Sequence, residues 1–121
     1  MEELTHEQFV LAIRELAKQV SKHKFKGIYG IPRGGMVVAV YLSHYTGIPV
    51  IPAPKYDALI VDDICDTGDT MKSYAEDFHT AVIYYNKRFA AVVPDFWVLD
   101  ADTFVKFPWE TEETAKVDYK T

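Results

Sequence analysis

Two glycine-containing segments carry most of the residues in this chain that could do chemistry. The first, residues 30–36, reads GIPRGGM, and the second, residues 62–70, reads DDICDTGDT. Each segment follows a short apolar run typical of a buried strand and precedes a stretch typical of a helix. A turn that leads from a strand into a helix exposes unpaired backbone N–H groups, which attract anions. The sequence therefore predicts two anion-binding turns.

The second segment is richer in carboxylates than a plain anion site. Asp62, Asp63 and Asp66 come directly before the N–H-rich residues 67–70. Carboxylates repel phosphate, but they accept hydrogen bonds from the hydroxyl groups of a sugar. A solvated strand end with a glycine turn would explain two adjacent acids, although it would not explain the whole run. We therefore expect a phosphorylated sugar here, with the acids on its hydroxyls and residues 67–70 on its phosphate.

The elements around these turns alternate between strand and helix. Helical spacing predicts a first helix with a capping box at Thr5 and Gln8 and apolar positions at Phe9, Ile13, Leu16, Ala17 and Val20. Strands are predicted at residues 27–31, 50–51, 58–61, 81–85 and 96–99, and further helices at residues 36–42 and from 70 to about 78. The alternation predicts an α/β fold, a mostly parallel twisted sheet flanked on both faces by helices. The tail after Trp109 has no usable periodicity, and we expect it to be partly disordered.

Length and composition indicate one globular domain, residues 1–121. Of the 121 residues, 49% are hydrophobic and 26% are charged. The longest apolar run, residues 36–42, is far shorter than the roughly 20 residues that span a bilayer, and the net charge of −5 opposes nucleic-acid binding. We therefore expect neither a membrane nor a nucleic acid as partner. No secretory signal is visible and Cys65 is the one cysteine, so we expect a cytoplasmic protein in which Cys65 serves packing.

The run LIVDDICDTGDT, residues 59–70, resembles the phosphoribosyl pyrophosphate (PRPP) motif of type I phosphoribosyltransferases, in which apolar residues lead to two acids and a D-T-G-x-T loop. GIPRGGM is similar to the pyrophosphate loop of the purine enzymes. DTFV and PWE, at residues 102–105 and 108–110, resemble the purine-binding hood of the bacterial xanthine-guanine phosphoribosyltransferases. The resemblance covers about residues 25 to 110. It implies a purine-salvage enzyme that transfers phosphoribosyl from PRPP to a 6-oxopurine, giving a nucleoside monophosphate and pyrophosphate.

The resemblance implies roles for the residues of the second segment. Asp62 and Asp63 would contact the ribose hydroxyls and help to hold Mg²⁺, most of which would be bound through PRPP itself. The 5′-phosphate would be surrounded by Asp66, Thr67, Gly68, Asp69 and Thr70. Asp66 would also be the catalytic group, a general acid or base at the purine N7.

The resemblance also implies sites for the pyrophosphate and the base. Arg33, Gly34 and Gly35 would bind pyrophosphate, and the bond from Pro32 to Arg33 falls where the family often has a cis peptide. Lys87 would donate to the purine 6-oxo group, which favours guanine, xanthine or hypoxanthine over adenine because an ammonium group offers only donors. The base-binding residues would be completed by Phe104, which would stack on the purine, and Val105.

The sequence departs from the family at the mobile loop that normally closes the site. Only PAPKYD, residues 52–57, lies between the strands predicted at 50–51 and 58–61, which is too short for a hairpin lid. Closure would then depend on a neighbouring subunit or on the C-terminal tail. The aromatic content of 14% favours an aromatic interface, so we expect a homodimer or a higher homo-oligomer.

Two other functional classes stay open at this point. A non-catalytic sensor of PRPP or of a nucleotide would keep both loops and lose only the lid. A phosphoryl-accepting receiver domain would also need paired acids, a threonine and a later lysine. The order of the predicted elements opposes a receiver, because the paired acids follow two earlier strands and lead directly into the TGDT turn.

Overall fold

The computed structural model of the chain describes residues 2–101 and 105–118. Its elements follow in the order β1 (Glu2–Glu3), α1 (His6–Val20), β2 (Gly27–Gly30), α2 (Gly34–Thr46), β3 (Ala58–Cys65), α3 (Asp69–Ala75), β4 (His79–Tyr85), β5 (Leu99–Asp100), β6 (Val105–Lys106) and α4 (Glu112–Asp118). The larger sheet is parallel throughout and has the order β2-β3-β4-β5, while β1 and β6 form a separate parallel pair. The α/β fold expected from the sequence is confirmed.

Helices cover both faces of the larger sheet because side chains alternate along its central strands. Leu59 and Val61 of β3 pack in the same cluster as the buried residues of α1 and α2. Ile60 points to the opposite face and packs with Met71 of α3 and Val82 of β4. The expected arrangement, with helices on both faces, is confirmed.

The first helix begins and packs as its sequence predicts. Gln8 N donates to Thr5 Oγ1 at 3.1 Å and Thr5 N donates to Gln8 Oε1 at 2.9 Å, so the capping box is complete. The predicted apolar residues of α1 are all buried. Among the described residues, no helix is long and apolar enough to cross a membrane.

Strand β3 is longer than the sequence predicted. The strand expected at residues 58–61 continues to Cys65, which pairs with Tyr85 of β4. The extension arises because β4 continues to Tyr85, so the backbone N–H and C=O groups of β3 find hydrogen-bond partners as far as Cys65. Asp62 and Asp63 therefore belong to the strand, and the expectation that the strand ends before them was wrong.

The segment at residues 50–51 is not a strand. It forms an isolated bridge in which Val50 lies opposite Ile28 of β2. Ile28 N donates to Pro49 O and Ile51 N donates to Ile28 O, both at 2.9 Å. Prolines at positions 49 and 52 flank the segment and have no N–H to donate, which stops the ladder from extending.

The last predicted strand and the helix after the second turn also have different bounds. Phe96 forms only an isolated bridge with Ala81, and β5 begins later, at Leu99. Helix α3 ends at Ala75 instead of near residue 78. Acidic residues follow directly at positions 76–77, where they oppose the negative end of the helix dipole.

Part of the C-terminal tail is helical: residues 112–118 form α4, which was not predicted from the sequence. Thr114 N donates to Thr111 Oγ1 at 3.2 Å, so Thr111 caps the new helix. Glu112 and Glu113 occupy the first turn of α4, where carboxylates stabilise a helix. The sequence pattern lacked apolar periodicity here, but the cap and the acidic first turn were present.

Candidate active site

Three loops meet at one edge of the larger sheet, because the carboxyl ends of adjacent parallel strands lie together. We call them the arginine loop (residues 31–33, after β2), the aspartate loop (residues 66–68, after β3) and the lysine loop (residues 86–91, after β4). All the described residues singled out by the two glycine motifs lie on these loops, at the end of β3 or at the start of the helices that follow.

The arginine loop brings the start of α2 against the end of β3. The bond between Pro32 and Arg33 is cis, as expected from the sequence. Gly34 and Gly35 open the helix and are buried. A Cβ on Gly34 would collide with Asp63 Oδ2, and one on Gly35 would lie 2.6 Å from the backbone oxygen of Val61. Glycines at these positions thus allow the helix backbone to touch the acidic end of β3.

The paired acids of β3 are buried at the floor of a narrow cleft. Asp62 is 5% exposed and Asp63 is 3% exposed. Asp63 N donates to Asp62 Oδ1 at 2.9 Å and Ile64 N donates to Asp63 Oδ1 at 2.8 Å, which orients both carboxylates. The cleft is lined by Ile31, Pro32, Arg33, Gly34, Asp62, Asp63 and Thr70. Residues from both predicted anion-binding turns therefore share one cleft.

The aspartate loop turns sharply into α3 at Gly68, which has a φ of +83°. Asp69 N donates to Thr67 Oγ1 at 3.3 Å, and Lys72 N donates to Gly68 O at 2.8 Å as the helix begins. The lysine loop packs directly on this turn, because Ala91 N donates to Thr67 O at 2.7 Å. The two loops form one hydrogen-bonded unit.

Asp66 is held by a residue that the sequence reading missed. Asp66 is 7% exposed, and its Oδ1 accepts a hydrogen bond from Asn86 Nδ2 at 2.7 Å. Asn86 is the first residue after β4 and is itself 2% exposed. The signal available in the sequence was an amide residue placed directly after the apolar run AVIYY.

Cys65 lies between the acids and is buried, as expected for a packing residue. Burial raises the pKa of its thiol from 9.0 to about 11, and the carboxylates of Asp62 and Asp66 add to the rise. A thiol whose ionised form is disfavoured by burial and by two nearby acids is a poor nucleophile at neutral pH.

Lys87 projects from the lysine loop and is exposed. Its Nζ lies 4.4 Å from the centre of the Trp97 ring, a cation–π contact. The Trp97 ring in turn packs edge-to-face on Tyr85, with ring centres 5.3 Å apart. The ammonium group is therefore held over an aromatic surface.

The expected base-binding hood is described only in part. Phe104 lies outside the described residues, and Val105 is a buried core residue of β6, 3% exposed. Beyond it, the Trp109 ring stacks on Phe107 with centres 4.9 Å apart. A shallow depression next to the arginine loop is lined by Arg33, Val37, Trp109, Glu110, Thr111 and Thr114. The segment after β6 thus reaches the side of the arginine loop.

The connection between α2 and β3 contains no hairpin. All of residues 47–57 are described, and they hold only the isolated bridge at Val50 and a turn in which Ala58 N donates to Lys55 O at 3.0 Å. Tyr56 in this turn is 86% exposed. The expectation that this connection cannot supply a lid is in keeping with its structure.

Three known proteins that this chain resembles in sequence or in structure are named as phosphoribosyltransferases of purines. No protein-family model matches the chain. The xanthine-guanine phosphoribosyltransferase of Idiomarina loihiensis is 32% identical, over 86% of this chain and 83% of its own length. That of Vibrio atlanticus is 30% identical, over 81% of each chain. The crystal structure of a purine phosphoribosyltransferase from Pyrococcus horikoshii Ot3 matches with a TM-score of 0.80 at 31% identity, over 91% of this chain and 93% of that chain.

Proposed function

The chain belongs to the family of the xanthine-guanine phosphoribosyltransferases, and from this premise we propose that it transfers the 5-phosphoribosyl group of PRPP to a 6-oxopurine: guanine, xanthine or hypoxanthine. The products are a purine nucleoside monophosphate and pyrophosphate. The observation that carries the proposal is the single cleft in which Arg33 and Gly34 face Asp62, Asp63 and Thr70. The family consists of glycosyltransferase-type enzymes, so neither a non-catalytic sensor nor a receiver domain is favoured.

In this proposal the end of β3 and the turn after it bind the ribose 5-phosphate part of PRPP. Asp62 and Asp63 accept hydrogen bonds from the ribose hydroxyls, a role that suits oriented carboxylates with little exposure. The 5′-phosphate is bound by residues 66–70, that is Asp66, Thr67, Gly68, Asp69 and Thr70. Support comes from the left-handed turn at Gly68, which leaves backbone N–H groups at the start of α3.

The pyrophosphate of PRPP is assigned to the arginine loop and the start of α2. Arg33 carries a permanent positive charge and is exposed at the cleft. Gly34 and Gly35 present backbone N–H groups at the positive end of a 13-residue helix. These groups stabilise the negative charge that the leaving pyrophosphate gains as its bond to C1 of the ribose breaks.

The base is assigned to the side of the cleft where the aspartate and lysine loops meet. Asp66 acts as general acid or base, giving or taking the proton at the purine N7, and Lys87 donates a hydrogen bond to the 6-oxo oxygen. Phe104 completes the base site by stacking on the purine, and Val105, whose side chain is buried in the core, contributes only backbone atoms. The hydrogen bond from Asn86 to Asp66 supports the assignment, because Asn86 directly precedes Lys87 and so ties the start of the lysine loop to Asp66.

Magnesium is the proposed cofactor. Within residues 2–101 and 105–118, no group of three or more His, Cys, Asp or Glu is arranged to hold a metal ion. Mg²⁺ in phosphate-transfer sites is commonly bound by one or two carboxylates together with the substrate phosphates, and Asp62 and Asp63 fit that arrangement. When bound, Mg²⁺ neutralises charge on the pyrophosphate oxygens.

Water must be kept from the activated sugar by something other than a loop after α2. We assign this task to the segment after β6, supported by the depression that Trp109 and Glu110 form beside Arg33. Because the connection between α2 and β3 is too short for a lid, a neighbouring subunit is the other candidate for keeping water from the sugar.

We also propose that the chain assembles with copies of itself. Met36, Val40 and Val50 are 53%, 48% and 46% exposed, and they surround an apolar groove between α2 and residues 50–52. From Gly34 to Pro54 the sequence contains no Asp, Glu, Lys or Arg. In an acidic chain, an uncharged face allows two copies to meet without like-charge repulsion.

We propose that the protein works in the cytoplasm. Its one cysteine is buried and unpaired, which suits a reducing compartment.

The test is a Mg²⁺-dependent assay with PRPP and guanine, hypoxanthine, xanthine or adenine in parallel, in which both nucleotide and pyrophosphate are measured. We expect nucleotide from the 6-oxopurines and little from adenine, and a strongly reduced but measurable rate of nucleotide formation in Asp66→Asn. Pyrophosphate without nucleotide would mean that water captures the sugar. PRPP binding without turnover would overturn the proposal in favour of the sensor.

A further inference from the structure

Asn86 and Asp66 form a buried pair at the ends of neighbouring strands. Asp66 follows β3 and Asn86 follows β4, and their side chains are joined by the 2.7 Å hydrogen bond from Asn86 Nδ2 to Asp66 Oδ1. Both residues are more than nine-tenths buried. A hydrogen bond from an amide to a carboxylate is stronger when water is excluded, so this contact is well placed to fix the carboxylate.

The orientation of the Asn86 amide is determined by a second contact. Arg88 N donates to Asn86 Oδ1 at 3.2 Å, so the other end of the amide, the NH₂ group, must face Asp66. The backbone of Asn86 is equally engaged: its N donates to Cys65 O at 2.9 Å and its O accepts from Ala90 N at 3.1 Å. Asn86 is therefore a fixed donor.

The two oxygens of the Asp66 carboxylate have different environments. Oδ1 is bound to Asn86, whereas Oδ2 has no hydrogen-bond partner among the described residues. No fully buried side-chain nitrogen or oxygen in the described part of the chain lacks a partner, so Oδ2 must reach the surface. Oδ2 of Asp66 is therefore accessible to a ligand, whereas Oδ1 is occupied by its hydrogen bond to Asn86.

We infer that Asn86 is a positioning residue of the transferase, which holds Oδ1 so that Oδ2 is the oxygen presented to the purine N7. This inference rests on the proposed function, because it assigns to Asn86 the orientation of the group that contacts N7. The same residue fixes the start of the lysine loop, and so it sets the relative placement of Asp66 and Lys87. Asn86 contacts no substrate in this inference and acts only through these neighbours.

The test is a double-mutant cycle in the full chain with Asn86→Ala, Asp66→Asn and the double variant. We expect Asn86→Ala to lower kcat about tenfold, as for loss of one hydrogen bond to a charged group, with KM for PRPP within about twofold of the parent value. In the Asp66→Asn background, Asn86→Ala should have no further effect on kcat. Asn86→Gln, which keeps an amide donor, should recover part of the rate.

Two further measurements separate positioning from folding. Asn86→Leu fills a similar volume without a donor, so it should lose kcat like Asn86→Ala even if it unfolds at the parent temperature. Arg88→Ala, which keeps the backbone N–H that binds Asn86, is the matched control and should retain the parent kcat. Equal kcat for the parent, Asn86→Ala and Asn86→Leu, or additive losses in the cycle, would overturn the inference while the proposed function stood. A parent protein that makes no nucleotide would overturn both.

Discussion

Gly68 and Ala91 approach so closely that a Cβ placed on Gly68 would lie 2.9 Å from the Ala91 backbone nitrogen. The contact joins the aspartate loop to the lysine loop, and it is reinforced by the hydrogen bond from Ala91 N to Thr67 O. A glycine is needed at this position for two reasons. A Cβ would collide with Ala91, and the φ of +83° disfavours any residue with a side chain. The loop proposed to bind phosphate and the loop proposed to bind the base are thus built as one unit.

Gly68→Ala should therefore separate the two loops. The left-handed backbone alone costs about 1–2 kcal/mol for a residue with a Cβ, and the collision forces the lysine loop to move as well. We expect a lower unfolding temperature, a loss of nucleotide formation of at least about tenfold and weaker PRPP binding by calorimetry.

Gly47→Ala is the matched control for this prediction. Gly47 ends α2 with a φ of +78°, but a Cβ there would meet nothing within 4 Å. Gly47→Ala should therefore lose only the roughly 1–2 kcal/mol of the left-handed backbone and keep its activity. If Gly47→Ala loses as much activity as Gly68→Ala, strain in the backbone and not the contact between the loops is responsible.

Trp97 should control how well Lys87 binds the purine. The ring holds the Lys87 ammonium group at 4.4 Å, a contact worth about 0.5–1 kcal/mol at an exposed site. Trp97→Leu should raise KM for the purine about two- to fivefold and leave KM for PRPP unchanged. Trp97→Phe, which keeps an aromatic face, should lie closer to the parent protein.

A variant of Lys87 tests whether the effect passes through the ammonium group. In a Lys87→Met background, Trp97→Leu should leave KM for the purine unchanged, because no cation remains to be held. An additional rise in that background would assign Trp97 a different role, such as support of Tyr85, on which its ring packs.

The sequence predicts the positions of the two strand-to-helix turns well because their constraints are local. The glycines, the cis peptide before Arg33 and the acids of β3 lie within short runs, and each run sits at a change from strand to helix. The structure adds to these the common cleft, which depends on β2 and β3 being neighbours in one parallel sheet.

Features that depend on distant partners were missed. Asn86 is an ordinary loop residue in the sequence, and its importance follows only from the pairing of β4 with β3, which brings it to Asp66. The extent of β3 beyond Val61 likewise depends on the length of β4. Local propensity cannot report such contacts between strands.

Association through the face around α2 can be tested with a single charge. Val40→Lys places an ammonium group in the middle of the uncharged exposed surface and should shift the protein towards the 13.8 kDa monomer. Light scattering coupled to gel filtration measures the mass directly. Leu11→Lys is the control, since Leu11 is 63% exposed on α1 and does not line the apolar groove. A parent protein that is already monomeric at high concentration would contradict the proposed assembly.

Cys65 should resist alkylation in the folded protein. Only the thiolate reacts, and a pKa of about 11 in place of 9.0 lowers the ionised fraction at pH 8 by about two orders of magnitude. The rate of reaction with iodoacetamide should therefore reach half its maximum near pH 11 in the native state, but near pH 9 in urea. A native rate that is half-maximal near pH 9 would contradict the raised pKa.

The same shift makes the stability of the protein depend on pH in a defined direction. Between pH 9 and about 11 the unfolded chain releases the Cys65 proton while the folded chain keeps it, so the free energy of unfolding falls as pH rises. Tyr84, whose pKa is raised by burial and by its hydrogen bond to Glu2, acts in the same direction at higher pH. Urea unfolding of the parent and of Cys65→Ser at pH 8 and pH 10.5 isolates the cysteine. The parent should lose more stability than the variant over this interval, and equal losses would assign the dependence to groups other than Cys65, among them Tyr74 and Tyr84, whose pKa values are both raised by burial.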